Sequence, residues 1–273
     1  MYSLPMKILF LGDVFAAPGR AALKKYLPLL KAEHQPDVVI VNGENSAHGR
    51  GISDETAAAI FAAGADIITL GDHTFDQKGS DALLANNPKI IRPANFAAGT
   101  PGRGHTVFTT ASGKKIMVMQ LLGRVFMKTA SVTDCPFRTF NALTEDMKLG
   151  KDVDAIFVDF HAEATSEKAC FFGHADGKAS AVVGTHTHIP TNDARIFPKG
   201  TAVQTDAGMC GDYESSIGLS LESVVPSYLS AGRHYFQPAT GNATLGGVLI
   251  ETDDKGKAIK IQSLMTPAFT KEK

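Results

Sequence analysis

Through the first two-thirds of the chain, short apolar or β-branched runs alternate with longer stretches of helical periodicity, the pattern of stacked βαβ units around a buried sheet. The apolar runs predict strands over residues 7–12, 37–42, 66–71, 115–122, 154–159 and 179–185. Helical periodicity covers 21–33, weakened at Pro28, and then 53–63, 139–148 and 166–174. The second of these opens on Ser53 as an N-cap, with Asp54 and Glu55 in the first turn, and closes at Gly64. Beyond residue 195 the pattern changes. Strands are expected over 202–205, 243–251 and 257–264, with residues 253–256 (Asp-Asp-Lys-Gly) as a hairpin turn, and together they read as an antiparallel closing sheet. No internal repeat or Pro/Gly/Ser-rich linker divides the chain, so one domain over residues 1–273 is expected. Met6-Lys7 stands directly before the first apolar run, which makes Met1 to Pro5 read as a short extension.

The polar residues at the ends of the apolar runs carry the chemistry. Asp13 follows the first run, Glu44 and Asn45 the second, and Asp72 and His73 the third; His161 follows the run beginning at Ile156, and His186 and His188 the run ending at Thr185. In open α/β sheets ligands bind beyond the carboxyl ends of the strands, so five separate turns point toward one place. Taken singly, each has a plainer reading. Asp13 reads equally as a cap, Asn45 as a turn residue, and His73 as a structural histidine. His186 and His188 are stronger, because alternate residues of extended chain point the same way. Turn chemistry has no use for four histidines, and the joint pattern favours ligands. His34, His48, His105, His174 and His234 lack this context, and Arg50, Arg92 and Lys168 are candidate phosphate contacts whose default reading is a solvated cation.

Composition narrows the class. The chain has 273 residues, 44% hydrophobic and 20% charged, enough to bury a substantial core. Its 27 basic and 28 acidic residues leave a formal charge of −1, which offers no global attraction to a phosphate backbone and argues against a general nucleic-acid binder. Cys135, Cys170 and Cys210 are widely spaced with no CxxC, so neither a disulfide framework nor a zinc knuckle is expected, and a reducing cytoplasm fits best. The early run Ile8 to Leu11 is too short for a signal-peptide core or a membrane span. GxGxxG, GxxxxGK[ST] and GxSxG are all missing, which removes dinucleotide, P-loop and serine-hydrolase readings. Mixed carboxylate and imidazole donors suit Zn, Mn or Fe. Seven or eight donors exceed one ion's needs, whereas two ions ~3.5–4 Å apart, bridged by one carboxylate and a hydroxide, would use them all and set up in-line attack on phosphorus.

Gly12-Asp13-Val14, Asn42-Gly43-Glu44-Asn45, Gly71-Asp72-His73-Thr74, the block from Asp159 to Lys168 and Gly184-Thr185-His186-Thr187-His188 resemble, in order, the blocks of the YmdB-like metallophosphoesterases of the calcineurin-like superfamily. Arg92-Pro93-Ala94-Asn95 and Asp206-Ala207-Gly208-Met209 extend the resemblance over nearly the whole chain. It implies an α/β fold, a β-sandwich flanked by helices in α/β/β/α layers, with a dinuclear centre of Fe or Mn, or of Zn. It further implies phosphodiester hydrolysis, with 2′,3′-cyclic nucleotides as candidate substrates. Carried over by residue, one ion would take Asp13, Glu44, Asn45 and His188, and the other Glu44, Asp72, His161 and His186, with Glu44 bridging. His73 would face the phosphate and stabilise its charge or protonate the departing alkoxide. The implied partner is a small phosphodiester or nucleotide rather than stable nucleic acid or a membrane; a homo-oligomer stays open, as does the choice between lid and subunit contact for Asp206 to Ser216.

One position departs from the family. Asn is usual where this chain has Asp72. Three carboxylates and a hydroxide carry about −4 against +4 from two divalent ions, where an Asn would leave +1. Asp72 therefore points to one trivalent iron or to weaker binding of anionic substrates. Two further readings accompany the phosphodiesterase: a phosphomonoesterase or nucleotidase on the same centre, and a regulatory nucleotide- or metal-binding protein with little turnover.

Overall fold

The computed structural model describes residues 5–269; of the expected N-terminal extension, Met1 to Leu4 lie outside them. Two sheets face each other. The first contains β1 (Met6–Leu11), β2 (Asp13–Val14), β3 (Val38–Asn42), β4 (Ile67–Thr69) and β5 (Ile90–Ile91). The second begins with β6 (His105–Thr109), β7 (Lys115–Leu122), β8 (Ala155–His161) and β9 (Ala181–Thr185), and adds β10 (Arg195–Ile196) and β11 (Ala202–Gln204). The chain then returns to the first sheet with β12 (Met209–Asp212), β13 (Ala243–Thr252) and β14 (Ala258–Thr266). Strands β1, β3, β4 and β5 run parallel, as do β7, β8, β9 and β11. Helices α1 (Ala16–His34), α2 (Asp54–Ala63) and α3 (Ser80–Asn86) belong to the first half, α4 (Pro136–Asp146) and α5 (Thr165–Ala175) follow β7 and β8, and α6 (Leu221–Leu229) comes late.

Three apolar clusters define four layers. Leu23, Leu27 and Ile60 of α1 and α2 pack on the outer face of β1, β3 and β4. Ile8, Phe10, Val38 and Ile40 meet Val118, Phe157 and Val183 between the sheets, with Phe10 and Phe157 rings 4.9 Å apart. Phe140, Phe171 and Phe172 of α4 and α5 cover the far face of the second sheet. The order is helix, sheet, sheet, helix. The near-continuous apolar runs follow from this, since a strand covered on both faces has no polar side to show.

Helix boundaries obey local chemistry. Ser53 caps α2 by accepting from Thr56 N at 3.2 Å while Thr56 Oγ1 accepts from Ser53 N at 2.9 Å, a reciprocal capping box. Helix α1 starts five residues earlier than expected because Pro18 falls in its first turn, where a missing N–H leaves no bond unmade. Pro136 opens α4 for the same reason.

The expected closing sheet needs correction. Strands β13 and β14 do close the first sheet antiparallel, joined through the turn at residues 253–256, where Asp253 N donates to Lys257 O at 2.7 Å. Strand β11 instead pairs parallel with β9 in the second sheet. Its three residues are too few to show a direction in sequence. Asp206 to Ser216 is also not a lid over its first half: Asp206 is wholly buried and β12 is a buried strand paired with β13 and β2.

Candidate metal centre

The carboxyl ends of β1, β3 and β4 from one sheet and β8 and β9 from the other meet at one edge of the sandwich. Asp159, on β8, ties these ends together. Its Oδ2 accepts from Asn42 Nδ2 at 3.0 Å and Thr69 Oγ1 at 2.6 Å, and its Oδ1 accepts from Thr185 Oγ1 at 2.6 Å. Burial pushes its pKa up to about 7, against the lowering effect of His161 and of the Thr185 and Thr69 hydroxyls.

Four donors converge most tightly. One ligand atom each from Glu44, Asp72, His161 and His186 lies within 4.8 Å of the others. His161 Nε2 is 3.1 Å from Glu44 Oε1, 3.1 Å from Asp72 Oδ1 and 3.0 Å from His186 Nδ1. A ring nitrogen carries at most one hydrogen, so one proton cannot serve three lone-pair groups at once. A cation can. Close approach of these groups depends on Gly71, where a Cβ would stand 2.1 Å from Glu44 Oε2 and 2.7 Å from His161 Cε1.

Glu44 also faces a second, looser group. Asn45 Nδ2 lies 3.1 Å from Glu44 Oε1 and 3.2 Å from His188 Nε2, and a half-turn of that amide would present Oδ1 instead. Asp13 Oδ2 accepts from His186 N at 3.3 Å, while its Oδ1 is buried with no hydrogen-bond partner among the described residues and stands 3.9 Å from His188 Nε2. Leaving a buried carboxylate oxygen unpaired costs about 1–3 kcal/mol, and more for a charged group. An ion beside Asp13 would remove that cost. The donors present therefore fit metal in both groups, with Glu44 between them.

Electrostatics agree. Burial disfavours charge on Asp72, but hydrogen bonds from His161 and His186 outweigh it and hold the carboxyl well below the usual carboxylate range. Burial likewise disfavours a charged His161, yet Glu44, Asp72 and Asp13 raise its pKa well above the ordinary value. The cluster thus favours positive charge at the place a cation would take.

The loop carrying His186 and His188 is strained and pinned. Both residues have left-handed backbones, φ 96° and 65°. Asp206 Oδ2 accepts from Lys168 Nζ at 3.0 Å, Thr187 N at 3.1 Å and Thr187 Oγ1 at 2.8 Å, and Lys168 Nζ also donates to Thr185 O at 2.9 Å. Lys168 is fully buried in this pair, so it is neither the solvated cation of the default reading nor able to reach a phosphate. Arg92 is buried too, donating to the carbonyls of Pro93, Thr100 and Pro101. Of the three candidate cations only Arg50 stays at the site, its side chain 66% exposed and its Nε 3.1 Å from Asp76 Oδ2.

A cleft of about 700 Å³ lies over the cluster. Glu44, Asn45, His186 and His188 line it, together with His73, the cations Arg50 and Lys128, and the aromatic rings of Tyr235 and Phe236. His73 N donates to Glu44 Oε2 at 3.2 Å, and its Nδ1 is 2.8 Å from Asp76 Oδ2, so its Nε2 is the ring nitrogen left for a bound molecule. His48 and His234, set aside in the sequence, also line the cleft. Asp76, Asp159 and Glu163 escaped notice as well. Asp159 alone left a trace, an acid inside an otherwise apolar run, which a buried strand tolerates only with partners.

The profile of the family described as YmdB-like protein matches residues 9–264. The sequence is 44% identical over 261 residues to the 2′,3′-cyclic-nucleotide 2′-phosphodiesterase of Bacillus subtilis (strain 168), covering 95% of this chain and 97% of that protein. A crystal structure of a phosphatase from Mycoplasma pneumoniae superposes with a TM-score of 0.89 at 38% identity, covering 97% of this chain and 94% of that one. A hypothetical protein of Thermus thermophilus gives a TM-score of 0.88 at 39% identity, over 95% and 98% of the respective chains.

Proposed function

The chain belongs to the YmdB-like family and is a hydrolase of the metallophosphoesterase type; from that premise we propose that it is a dinuclear phosphodiesterase acting on 2′,3′-cyclic nucleotides. The observation that carries this reading is the meeting of His161 Nε2 with Glu44, Asp72 and His186, of which Glu44 and His186 line a cleft walled by cations and aromatic rings. One ion would be held by Glu44, Asp72, His161 and His186, the other by Asp13, Glu44, Asn45 and His188. Iron and manganese suit this donor set, as does zinc. Bound ions would supply positive charge for the phosphoryl oxygens and would lower the pKa of water so that hydroxide is available near neutral pH.

The remaining work falls to the protein's own groups. Arg50 and Lys128 draw the phosphate into the cleft, and the rings of Tyr235 and Phe236 offer apolar surface for a nucleoside. Attack on phosphorus expels the ribose oxygen, O2′ by the specificity in the Bacillus subtilis relative's name. His73 gives that oxygen its proton from Nε2, while Asp76 accepts from Nδ1 and holds the ring in place. Glu44 accepts the His73 backbone N–H, which fixes the distance between acid and metal ligand.

The test uses full-length protein stripped of metal and reloaded with Mn²⁺. Metal-dependent hydrolysis of 2′,3′-cyclic AMP and of bis-p-nitrophenyl phosphate is expected. Metal-saturated protein that leaves both intact would overturn the reading. A phosphomonoesterase is the second reading, favoured by the phosphatase from Mycoplasma pneumoniae; faster turnover of p-nitrophenyl phosphate than of the diesters would establish it instead.

A further inference from the structure

An imidazole can bind a metal only through a bare nitrogen, so the hydrogen bond at its other nitrogen decides whether it is a ligand at all. The three site histidines meet this need differently. His188 Nδ1 lies 2.8 Å from Ile217 O, a carbonyl that can only accept, which leaves Nε2 bare toward Asn45 and Asp13. His186 Nε2 lies 3.2 Å from a Glu163 carboxylate oxygen, and its Nδ1 faces the cluster. His161 Nδ1 hydrogen-bonds to neither carbonyl nor carboxylate, the near carboxylate oxygen, Asp13 Oδ1, standing 3.9 Å away. Its partner is Thr185 Oγ1 at 2.8 Å.

A hydroxyl donates or accepts with equal ease, so Thr185 by itself leaves the His161 tautomer undetermined. Beyond Thr185 lies Asp159, whose Oδ1 is 2.6 Å from the same hydroxyl. The other side of that carboxylate is already committed to donors. Asn42 Oδ1 accepts from Glu44 N at 3.1 Å, which turns Asn42 Nδ2 toward Leu70 O at 3.2 Å and Asp159 Oδ2 at 3.0 Å. Thr69 Oγ1 supplies a second contact to Oδ2 at 2.6 Å. Every one of these atoms is buried, and Asp159 and His161 are wholly inaccessible.

We propose that Asp159, acting through Thr185, is a positioning residue that sets the tautomer of His161: the carboxylate takes the Thr185 hydroxyl hydrogen, Thr185 then accepts from His161 Nδ1–H, and Nε2 is left bare for metal. The proposal rests on the dinuclear reading for its purpose, though not for its geometry. Because Asp159 also receives Asn42 and Thr69 from β3 and β4, one buried carboxylate both joins the two sheets and selects the ligand atom.

Asp159→Asn reverses the chain of donors. Its amide oxygen keeps Asn42 and Thr69, and its NH₂ faces Thr185. The hydroxyl must then donate to His161 Nδ1, which puts the ring hydrogen on Nε2, facing Glu44, Asp72 and His186. Thr185→Val removes the relay, and Thr185→Ser keeps it.

The first measurement is ¹⁵N NMR of His161 in metal-free full-length protein, at a pH where the ring is neutral. Glu44 and Asp72, each 3.1 Å from Nε2, compete for that hydrogen in both proteins, and the native chain is expected to hold a clearly larger share of it on Nδ1 than Asp159→Asn does. An equal share in both overturns the proposal. The second is Mn²⁺ titration. One of two sites is expected to weaken about 10–100-fold in Asp159→Asn and Thr185→Val, the range for lost ligand-orienting partners, with Thr185→Ser close to native. Native affinity in Asp159→Asn and Thr185→Val, or equal loss in Thr185→Ser and Thr185→Val, overturns it. A native chain that binds no Mn²⁺ would defeat the dinuclear reading, while the tautomer measurement still judges the relay.

Discussion

The two halves of the site differ in how completely the protein alone assembles them. Glu44, Asp72, His161 and His186 crowd together within 4.8 Å, and the carboxylates raise the pKa of His161 against its burial. In the other half Asn45 reaches His188 at 3.2 Å, but Asp13 Oδ1 stands 3.9 Å from His188 and, among the described residues, has no hydrogen-bond partner. The tight half lies where the two sheets meet, since His161 and His186 come from β8 and β9 and Asp72 and Glu44 follow β4 and β3. Of the looser half, Asp13 and Asn45 follow strands of the first sheet and His188 the second. Packing therefore presses one group of donors together and leaves the other to be completed by what binds there.

That contrast can be broken at the residue both halves share. Glu44→Gln is expected to remove both ions and reduce phosphodiester turnover by about 10⁴-fold or more, several kcal/mol at 1.36 kcal/mol per decade. Elemental analysis should show the metal gone, whereas His161→Ala should lose only the ion of the tight half. His73→Gln comes next. It should lower turnover by about 10²–10⁴-fold with both ions retained, as loss of a proton donor requires; metal loss in parallel with activity would contradict the role given to His73.

Asp72→Asn sharpens the contrast by charge. It removes one negative charge from the cluster, and the expected result is a lower proportion of Fe³⁺ in protein loaded with iron in air, together with tighter binding of anionic substrate. Unchanged metal content and turnover would show that the extra charge is without consequence.

A smaller effect concerns pH. In metal-free protein the folded state holds a proton on His161 more tightly than the unfolded chain does, and on Asp159 likewise, with its pKa of about 7. A group whose pKa is raised by folding stabilises the fold below its unfolded pKa and ceases to do so as pH rises through the folded one. The melting temperature of metal-free protein should therefore fall as pH is raised from 6 to 8 (roughly the unfolded histidine pKa and above), and saturating Mn²⁺ should reverse the trend, because the ion competes with that proton. A metal-free melting temperature that rises across this range would contradict the assignment.

Much of this was legible along the chain, for a physical reason. Strands buried on both faces print as unbroken apolar runs, and the polar residue that ends each run, from Asp13 to His188, is conspicuous against them. Short elements were not legible: β2, β5 and β10 have two residues each, too few for any period. Nor was the placement of β11 in the second sheet, since strand order is decided by distant partners. Residues that act on other residues were hardest to see. Lys168 looks like a cation for phosphate until its buried partner Asp206 is known, and Thr185 looks like an ordinary strand end until Asp159 and His161 are found on either side of it.

Anomalous scattering from crystals of the Mn²⁺-loaded protein tests the central claim most directly. Two peaks are expected about 3.5–4 Å apart, with Glu44 between them, one beside Asp72, His161 and His186 and the other beside Asp13, Asn45 and His188. A single peak, or manganese found only away from these strand ends, would contradict it.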